Sequence, residues 1–413
     1  MTTLRPTQGN WVTGDRFWGR DYEIRQFIEI LDGGEHIHLS AQRRIGKTSL
    51  MREVAGRVSD RYACVHVDVE DAKSAEDFVA ALGAATREHR GLWTRTVEVF
   101  RNVLGTSAEA IESLQVDDVT IKIREGLVGG SWRAKADRLI EALAGGDEQV
   151  ILFLDEVPVL VNRMLGGADH ETTPERREAA DLFLSWMRRA ALRHQGRVRF
   201  VVTGSIGFGP ILSRAGLSAT INHLRHVDLR PWDGPTTIAC LHALGAWCRL
   251  TWADGAAERV VERLQMCVPH HVQMFFGHIR EEAERRGSAV CTIADVETAY
   301  ESRMLGSRGH PELLTFEERL TLVVPHDALA LAIDLLTEAA VAGRLDGGTV
   351  RFYLDEHGFE GRDGDRLARH ILDVLDHDGY LHRDGAHHVF SSHLLRDWWV
   401  ARHGHAFTRA SDR

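Results

Sequence analysis

The sequence predicts an α/β protein: a mostly parallel sheet core, then a helical region, then a C-terminal domain of helices with a β-wing. Three observations lead there. Short apolar runs alternate with segments of helical spacing from about residue 36 to 230. The alternation stops at Pro231-Trp232, beyond which helical spacing dominates. Near the end, two short runs flank Asp384-Gly385, a dipeptide suited to a tight hairpin.

Taken in order, residues 1–18 are an irregular lead-in. Tyr22, Ile24, Phe27, Ile28 and Leu31 recur at helical intervals over Asp21 to Leu31, and Gly33-Gly34 ends that helix. His36 to Ser40 is a short strand, followed by a polar loop and a helix over Thr48 to Val58. Valine-rich Tyr62 to Val69 is a second buried strand. A helix covers Ser74 to His89, with Ser74 as cap and Asp77 three residues on, as in a capping box. Between 91 and 147 the pattern is less regular. Val119 to Arg124 alternates apolar and polar or basic residues, as a short strand or hairpin does, and Trp132 to Ala144 is helical up to Gly145-Gly146. Val150 to Leu154 is a continuous apolar strand, the kind a parallel sheet covers on both faces.

Glu175 to His194 is a long helix with Leu182, Trp186 and Met187 on its apolar face. Arg199 to Thr203 is a further buried strand ending at Gly204-Ser205, and His226 to Leu229 is expected as another. Residues 235–302 form short helices, and a loop spans Gly306 to Pro311. Phe316 to Val324, Leu329 to Ala342 and Asp365 to Asp376 are helical. Tyr380 to Arg383 and His388 to Ser391 are the hairpin strands, and His393 to His403 is a final helix. Helices followed by such a wing suggest a winged-helix domain.

Bulk properties narrow the class. At 413 residues the chain suits two or three domains, and 44% apolar with 27% charged residues is ordinary for a globular protein. The net charge of -10 gives no global basic field for nucleic acid, although a local basic face is compatible with it. Cys64, Cys240, Cys248, Cys267 and Cys291 are odd in number and form no CxxC pair, so neither a disulfide framework nor a zinc site is expected. Met1 to Trp11 lacks the apolar centre of a signal peptide, and the longest apolar run, Val150 to Leu154, is far too short to span a bilayer. The expected location is the cytoplasm, with no membrane association.

The segment Ala41-Gln42-Arg43-Arg44-Ile45-Gly46-Lys47-Thr48 matches G-x-x-x-x-G-K-[ST], with alanine in place of the first glycine. It lies between an expected strand and an expected helix, as phosphate binding requires. Such a loop wraps its N–H groups around a phosphate, and the helix adds its positive N-terminal end. Ala41, Arg44, Ile45, Gly46, Lys47, Thr48 and Ser49 are the candidate nucleotide-binding residues. Gly46 permits close backbone approach, Lys47 supplies charge to the β- and γ-phosphates, and the Thr48 hydroxyl suits Mg²⁺. At position 41 a positive φ would strain the alanine.

The run VILFLDE over 150–156 delivers Asp155 to the C-terminal end of a buried strand, the edge at which open α/β sheets bind ligands. Asp155 is the second candidate for Mg²⁺, and Glu156 is the candidate to polarise an attacking water. Together with the loop, this makes the core a P-loop NTPase fold, with ATP and Mg²⁺ as cofactors. Ser205 is a candidate sensor of the γ-phosphate if its strand neighbours that of Asp155; an ordinary polar loop is the competing reading. Arg43 and Arg44 contact phosphate or a neighbouring subunit, or are a solvated surface pair. His270-His271 and His387-His388 lack metal-ligand spacing and are taken as surface or packing residues. Trp398-Trp399 is taken as core, and Arg396, Arg402, His403 and Arg409 as a weak sign of an interaction surface.

Several segments together resemble the archaeal-type ATPases of the STAND and AAA+ superfamily. Phe17-Trp18-Gly19-Arg20-Asp21-Tyr22-Glu23 is similar to the F-x-G-R-E-x-E entry motif, and Leu229-Arg230-Pro231-Trp232 to the L-x-P-[LFW] link into a helical lid. Cys267-Val268-Pro269-His270-His271 sits where the family has G-x-P, with cysteine replacing the glycine, and Ser391 to Trp399 is similar to the last winged-helix element. The resemblance implies Arg20 near the adenine and Pro269 closing the nucleotide pocket from the lid. It also implies an ATPase core over 1–232, a lid over 233–302 and a winged helix over 303–413. No arginine finger stands out, so hydrolysis across a ring is not expected. The leading functional expectation is an ATP-hydrolysing switch acting through a protein partner in trans, in stress signalling or phage defence, with a homo-oligomer compatible. The alternatives are a DNA-associated ATPase using its winged helix, and a nucleotide-binding scaffold with little turnover.

Overall fold

A computed structural model describes residues 3–7, 9–105, 114–127, 132–166, 172–306 and 311–413. The chain divides into two compact units. One comprises Arg20–Ser40 and Leu50–Leu229; the other comprises Met1–Gly19, Ala41–Ser49 and Arg230–Arg413.

The first unit is built on a parallel sheet of β1 (His36–Ser40), β2 (Tyr62–Asp68), β3 (Gln149–Asp155), β4 (Val198–Thr203) and β5 (Leu224–Asp228), in the spatial order β2-β3-β4-β1-β5. Val150 to Leu154 are all buried, as are the whole of β1 and β4, because helices cover both faces of a parallel sheet. Helix Asp21–Asp32 buries Ile24, Phe27, Ile30 and Leu31 at helical intervals. Phe153 of β3 stacks with Phe27 and with His66 of β2. Helix Ala75–Ala85 has the expected cap: Asp77 N donates to Ser74 Oγ at 3.2 Å and Lys73 N to Asp77 Oδ2 at 2.9 Å. Helix Pro174–Arg193 begins on a Thr173 cap with proline at its start, and sends Phe183, Trp186 and Met187 inward.

Several sequence expectations change here: Tyr22 and Leu182, expected on apolar helix faces, are 66% and 39% exposed. Val116–Glu125 is a helix, not the strand or hairpin expected over Val119 to Arg124. Its buried residues, Val119 and Ile123, stand four apart on one helical face, while Ile121, which the alternation would also bury, is 54% exposed. A capping box between Gln115 and Asp118 starts it. The last strand lies at Leu224–Asp228, two residues before the expected start, because pairing with β1 sets its limits: His36 opposes Leu224 and Ser40 opposes Asp228.

The second unit opens with helices Gly234–Cys248, Ala256–Leu264, Pro269–Arg285 and Ile293–Ala299, accompanied by a two-residue parallel pair of β6 (Thr251–Trp252) and β7 (Val290–Cys291). Helices Pro311–Val323, Leu329–Ala342, Gly347–Glu356 and Gly361–His377 follow, the third not expected from sequence. Residues 307–310, within the expected loop from Gly306 to Pro311, lie outside the described residues. Strands β8 (Leu381–Asp384) and β9 (His387–Phe390) form the expected antiparallel hairpin, turning through Gly385 at φ +59°. Helix His393–His403 closes the unit on a Ser392 cap, with Trp398 and Trp399 buried as core; Trp399 Nε1 donates to Thr337 Oγ1 at 3.0 Å.

Candidate functional site

The loop after β1 is compact and largely shielded. Ile45, Lys47 and Ser49 are buried, and helix Lys47–Val58 starts at the lysine itself. A helix start of this kind suits an anion, since its first-turn N–H groups have no intrahelical acceptor. Lys47 Nζ donates to Ala41 O and to Gln42 O, both at 2.9 Å. The ammonium is therefore aimed back into the concavity of the loop, where oxygen acceptors collect. Gly46 has φ +98°, and no heavy atom lies within 4 Å of where its Cβ would be, so the loop can receive a ligand closely there. Ala41 is not among the positive-φ residues, so alanine carries no strain at that position. The strain sits at Arg44 instead, at φ +63°. Arg43 and Arg44 are both half-buried rather than a solvated pair, and Arg44 Nη1 reaches Gly9 O at 3.4 Å. Val12 N donates to Ser49 Oγ at 3.0 Å, so the N-terminal lead-in is tied to the loop.

The acidic end of β3 is built differently. Asp155 pairs in register with Asp68 of β2, and its Oδ1 accepts from Glu156 N at 3.1 Å. Glu156 adopts φ +64°, a left-handed conformation costly for a side chain of this kind. Its Oε2 accepts from Ser205 N at 2.8 Å and from Ser205 Oγ at 2.7 Å. Helix Val157–Gly166, unmarked in the sequence reading, begins at once, and Glu156 O accepts from Val159 N and Leu160 N. Pro158 in its first turn lies so near Gly204 that a Cβ there would come within 2.5 Å of Pro158 Cδ. Glycine at 204 is what lets the end of β4 approach this helix and present Ser205 to Glu156.

The strand order explains which residues meet. β4 lies between β3 and β1, so the residues following β4 face both neighbours. The strand of Ser205 does neighbour that of Asp155, and Ser205 donates to Glu156 Oε2 through both its N–H and its hydroxyl. Thr203 is fully buried and gives its hydroxyl to Leu39 O of β1 at 3.0 Å, a structural bond within the sheet. Because β1, β3 and β4 are parallel, Ser40, Asp155 and Thr203 end at one sheet edge, and the chain passes from Ser40 directly into the lysine loop.

Arg20 is buried and precedes helix Asp21–Asp32, with Nη1 donating to Glu23 Oε1 at 2.8 Å. Burial pulls its guanidinium below the ordinary value, and Glu23 offsets part of that. In the second unit Pro269 is the first residue of helix Pro269–Arg285 and is half-buried. The preceding Cys267 is buried, and its carbonyl accepts from Trp232 N at 3.0 Å. Gln265, two residues earlier, takes φ +58°, which sequence reasoning did not single out. His271 is buried within the same helix, as a packing residue. Among the described residues no cluster of three His, Cys, Asp or Glu could hold a metal, and no helix is long and apolar enough to cross a membrane.

No protein-family model matches the chain, and neither does any curated protein. Among solved structures it is similar to a Walker-type ATPase of Pyrococcus abyssi, with a TM-score of 0.58 at 16% identity, over 96% of this chain and 99% of that one. It is also similar to the ORC2 protein of Aeropyrum pernix, described in ADPNP and ADP complexes, with a TM-score of 0.54 at 13% identity, over 97% of each chain. At these identities the likeness is one of fold: a parallel α/β core of the P-loop NTPase type followed by helical segments.

Proposed function

We propose that this chain is an ATP·Mg²⁺-binding switch that hydrolyses ATP and acts through a protein partner in trans. One observation carries the reading: β1, which runs into the lysine loop, and β3, which ends in Asp155, are parallel and one strand apart, so both open at the same sheet edge. Adenine nucleotide is favoured because the Aeropyrum pernix ORC2 protein, of similar fold, is described in ADPNP and ADP complexes. Residues 1–232 then act as ATPase core, 233–302 as lid and 303–413 as winged helix.

In this reading the loop amides and Lys47 bind the β- and γ-phosphates, with Ala41, Arg44, Ile45, Gly46 and Ser49 shaping the cradle. Arg20 and Pro269 serve the adenine side. The donor set suits magnesium: one hydroxyl plus one carboxylate is enough for a cation that keeps waters and phosphate oxygens. Thr48 and Asp155 would hold it, and when bound it neutralises charge on the transferring phosphoryl group. Glu156 accepts the proton of the attacking water. Ser205 fixes Oε2 with two donors, which leaves Oε1 as the acceptor.

Steady-state phosphate release tests this. Wild type should turn over ATP, and Glu156→Gln should lose most of that rate while keeping ATP affinity. A slow wild-type rate unchanged by Glu156→Gln would point to a scaffold without turnover. Partner capture from lysate should differ with and without ATP; salt-sensitive retention on duplex DNA in place of that difference would favour the DNA-associated alternative.

A further inference from the structure

We infer that Gln42 couples phosphate at Lys47 to the turn at Asp378–Leu381 of the C-terminal domain, a coupling that rests on the nucleotide-binding reading above. Two contacts of this one residue carry it. Its main-chain oxygen accepts from Lys47 Nζ at 2.9 Å. Its side chain lies against Gly379, where an added Cβ would come within 2.1 Å of Gln42 Nε2 and 2.2 Å of its Cδ. A single residue thus touches the phosphate-binding ammonium with its backbone and the C-terminal domain with its amide.

Gly379 is suited to such a contact. It holds φ +81° at the end of helix Gly361–His377, with Gly379 N donating to Asp376 O and Tyr380 N to Leu375 O. Only glycine permits both that turn and the approach of Gln42. Tyr380 is buried, its hydroxyl donates to Phe316 O, and its carbonyl accepts from Ser391 N at 2.9 Å. A displacement at Gly379 is therefore passed to both ends of the β8–β9 hairpin. Beside Gln42 lies a cavity of about 440 Å³, lined also by Trp232, Cys267, Leu381, His382 and Ser391. That space gives the amide somewhere to go.

The chemistry sets the direction. Phosphate oxygens are stronger acceptors of an ammonium proton than neutral carbonyls are. Phosphate at Lys47 competes with Gln42 O, which must then find another donor. Turning the Gln42 peptide swings its side chain off Gly379 and into the cavity. Linkage makes the effect reciprocal: seating of Gln42 on Gly379 opposes nucleotide binding, and nucleotide loosens the turn.

The test uses the full chain, with ATP·Mg²⁺ binding by calorimetry and amide hydrogen exchange followed in parallel. In wild type, ATP should speed exchange at Gly379, Tyr380 and Ser391. Gln42→Ala should bind ATP roughly 5-fold more tightly, the lower end of ordinary coupling, and lose the ATP-dependent exchange change. Gly379→Ala, which displaces the Gln42 side chain and strains the turn but leaves the loop sequence intact, should lose the same response. ATP binding in wild type with no exchange change at these amides overturns the coupling and leaves the nucleotide reading intact. Gln42→Ala with unchanged or weaker affinity overturns it too. Failure of wild type to bind ATP removes the underlying reading, and the coupling with it.

Discussion

The lysine loop and the acidic end of β3 serve the same proposed chemistry but are held by opposite means. In the loop, Lys47 is satisfied by two main-chain oxygens of the loop itself, bonds that a stronger acceptor can replace. At the end of β3, Glu156 is set in a left-handed turn, gripped by two donors from Ser205 and backed by a helix that Gly204 allows to pack closely. One region can re-pair its hydrogen bonds; the other is over-determined. The difference suits a site whose charge must yield to a ligand while its carboxylate stays aimed.

The sharpest way to break this contrast is Lys47→Ala. ATP affinity should fall at least about 100-fold, as expected for losing charge-assisted bonds to phosphate, with little change in the thermal midpoint. Retained ATP affinity on calorimetry would contradict the loop assignment.

Acid should destabilise the sheet unit. Burial lowers the His36, His66 and His223 imidazoles to about 4. These groups fold neutral, so the unfolded chain takes up their protons first. Stability should be full above pH 6.5 and fall progressively toward pH 4, by on the order of 3 kcal/mol for His36 alone. Urea midpoints across that range check the sign; a midpoint that rises with acid contradicts it.

Gly204→Ala should destabilise by about 1–3 kcal/mol, because its Cβ would drive into Pro158. Chemical denaturation measures this, and an unchanged midpoint would show that the β4 end is looser than the contact implies. The smallest effect is expected from Ser205→Ala, which removes the hydroxyl but keeps the N–H bond to Glu156. Loss of one such bond, about 1 kcal/mol, should lower kcat for phosphate release roughly fivefold and leave KM unchanged. A raised KM with unchanged kcat would mean that Ser205 touches the nucleotide instead of aiming the carboxylate.

Much of the frame was legible because its signals are local. The buried strands announced themselves as apolar runs, and Ser74 with Asp77 announced a helix start that the structure forms. The phosphate-loop motif carried its own flanking strand and helix. Val119 to Arg124 was misjudged because six residues of alternating character fit either period, and only packing showed that Ile121 faces outward. The pairing of Ser205 with Glu156 spans 49 residues, and no local pattern encodes it. The contact of Gln42 with Gly379 is more remote still.

From the linear chain alone come the residues able to bind phosphate, the acids able to work beside them, and the order in which strands and helices arise. Chemistry and periodicity act over a few residues, so a chain displays them directly. Strand order, the grip of Ser205 on Glu156 and the seating of Gln42 on Gly379 appear only in the folded molecule. They depend on which distant surfaces pack together, a choice made by the summed burial of the whole core and not by any one segment.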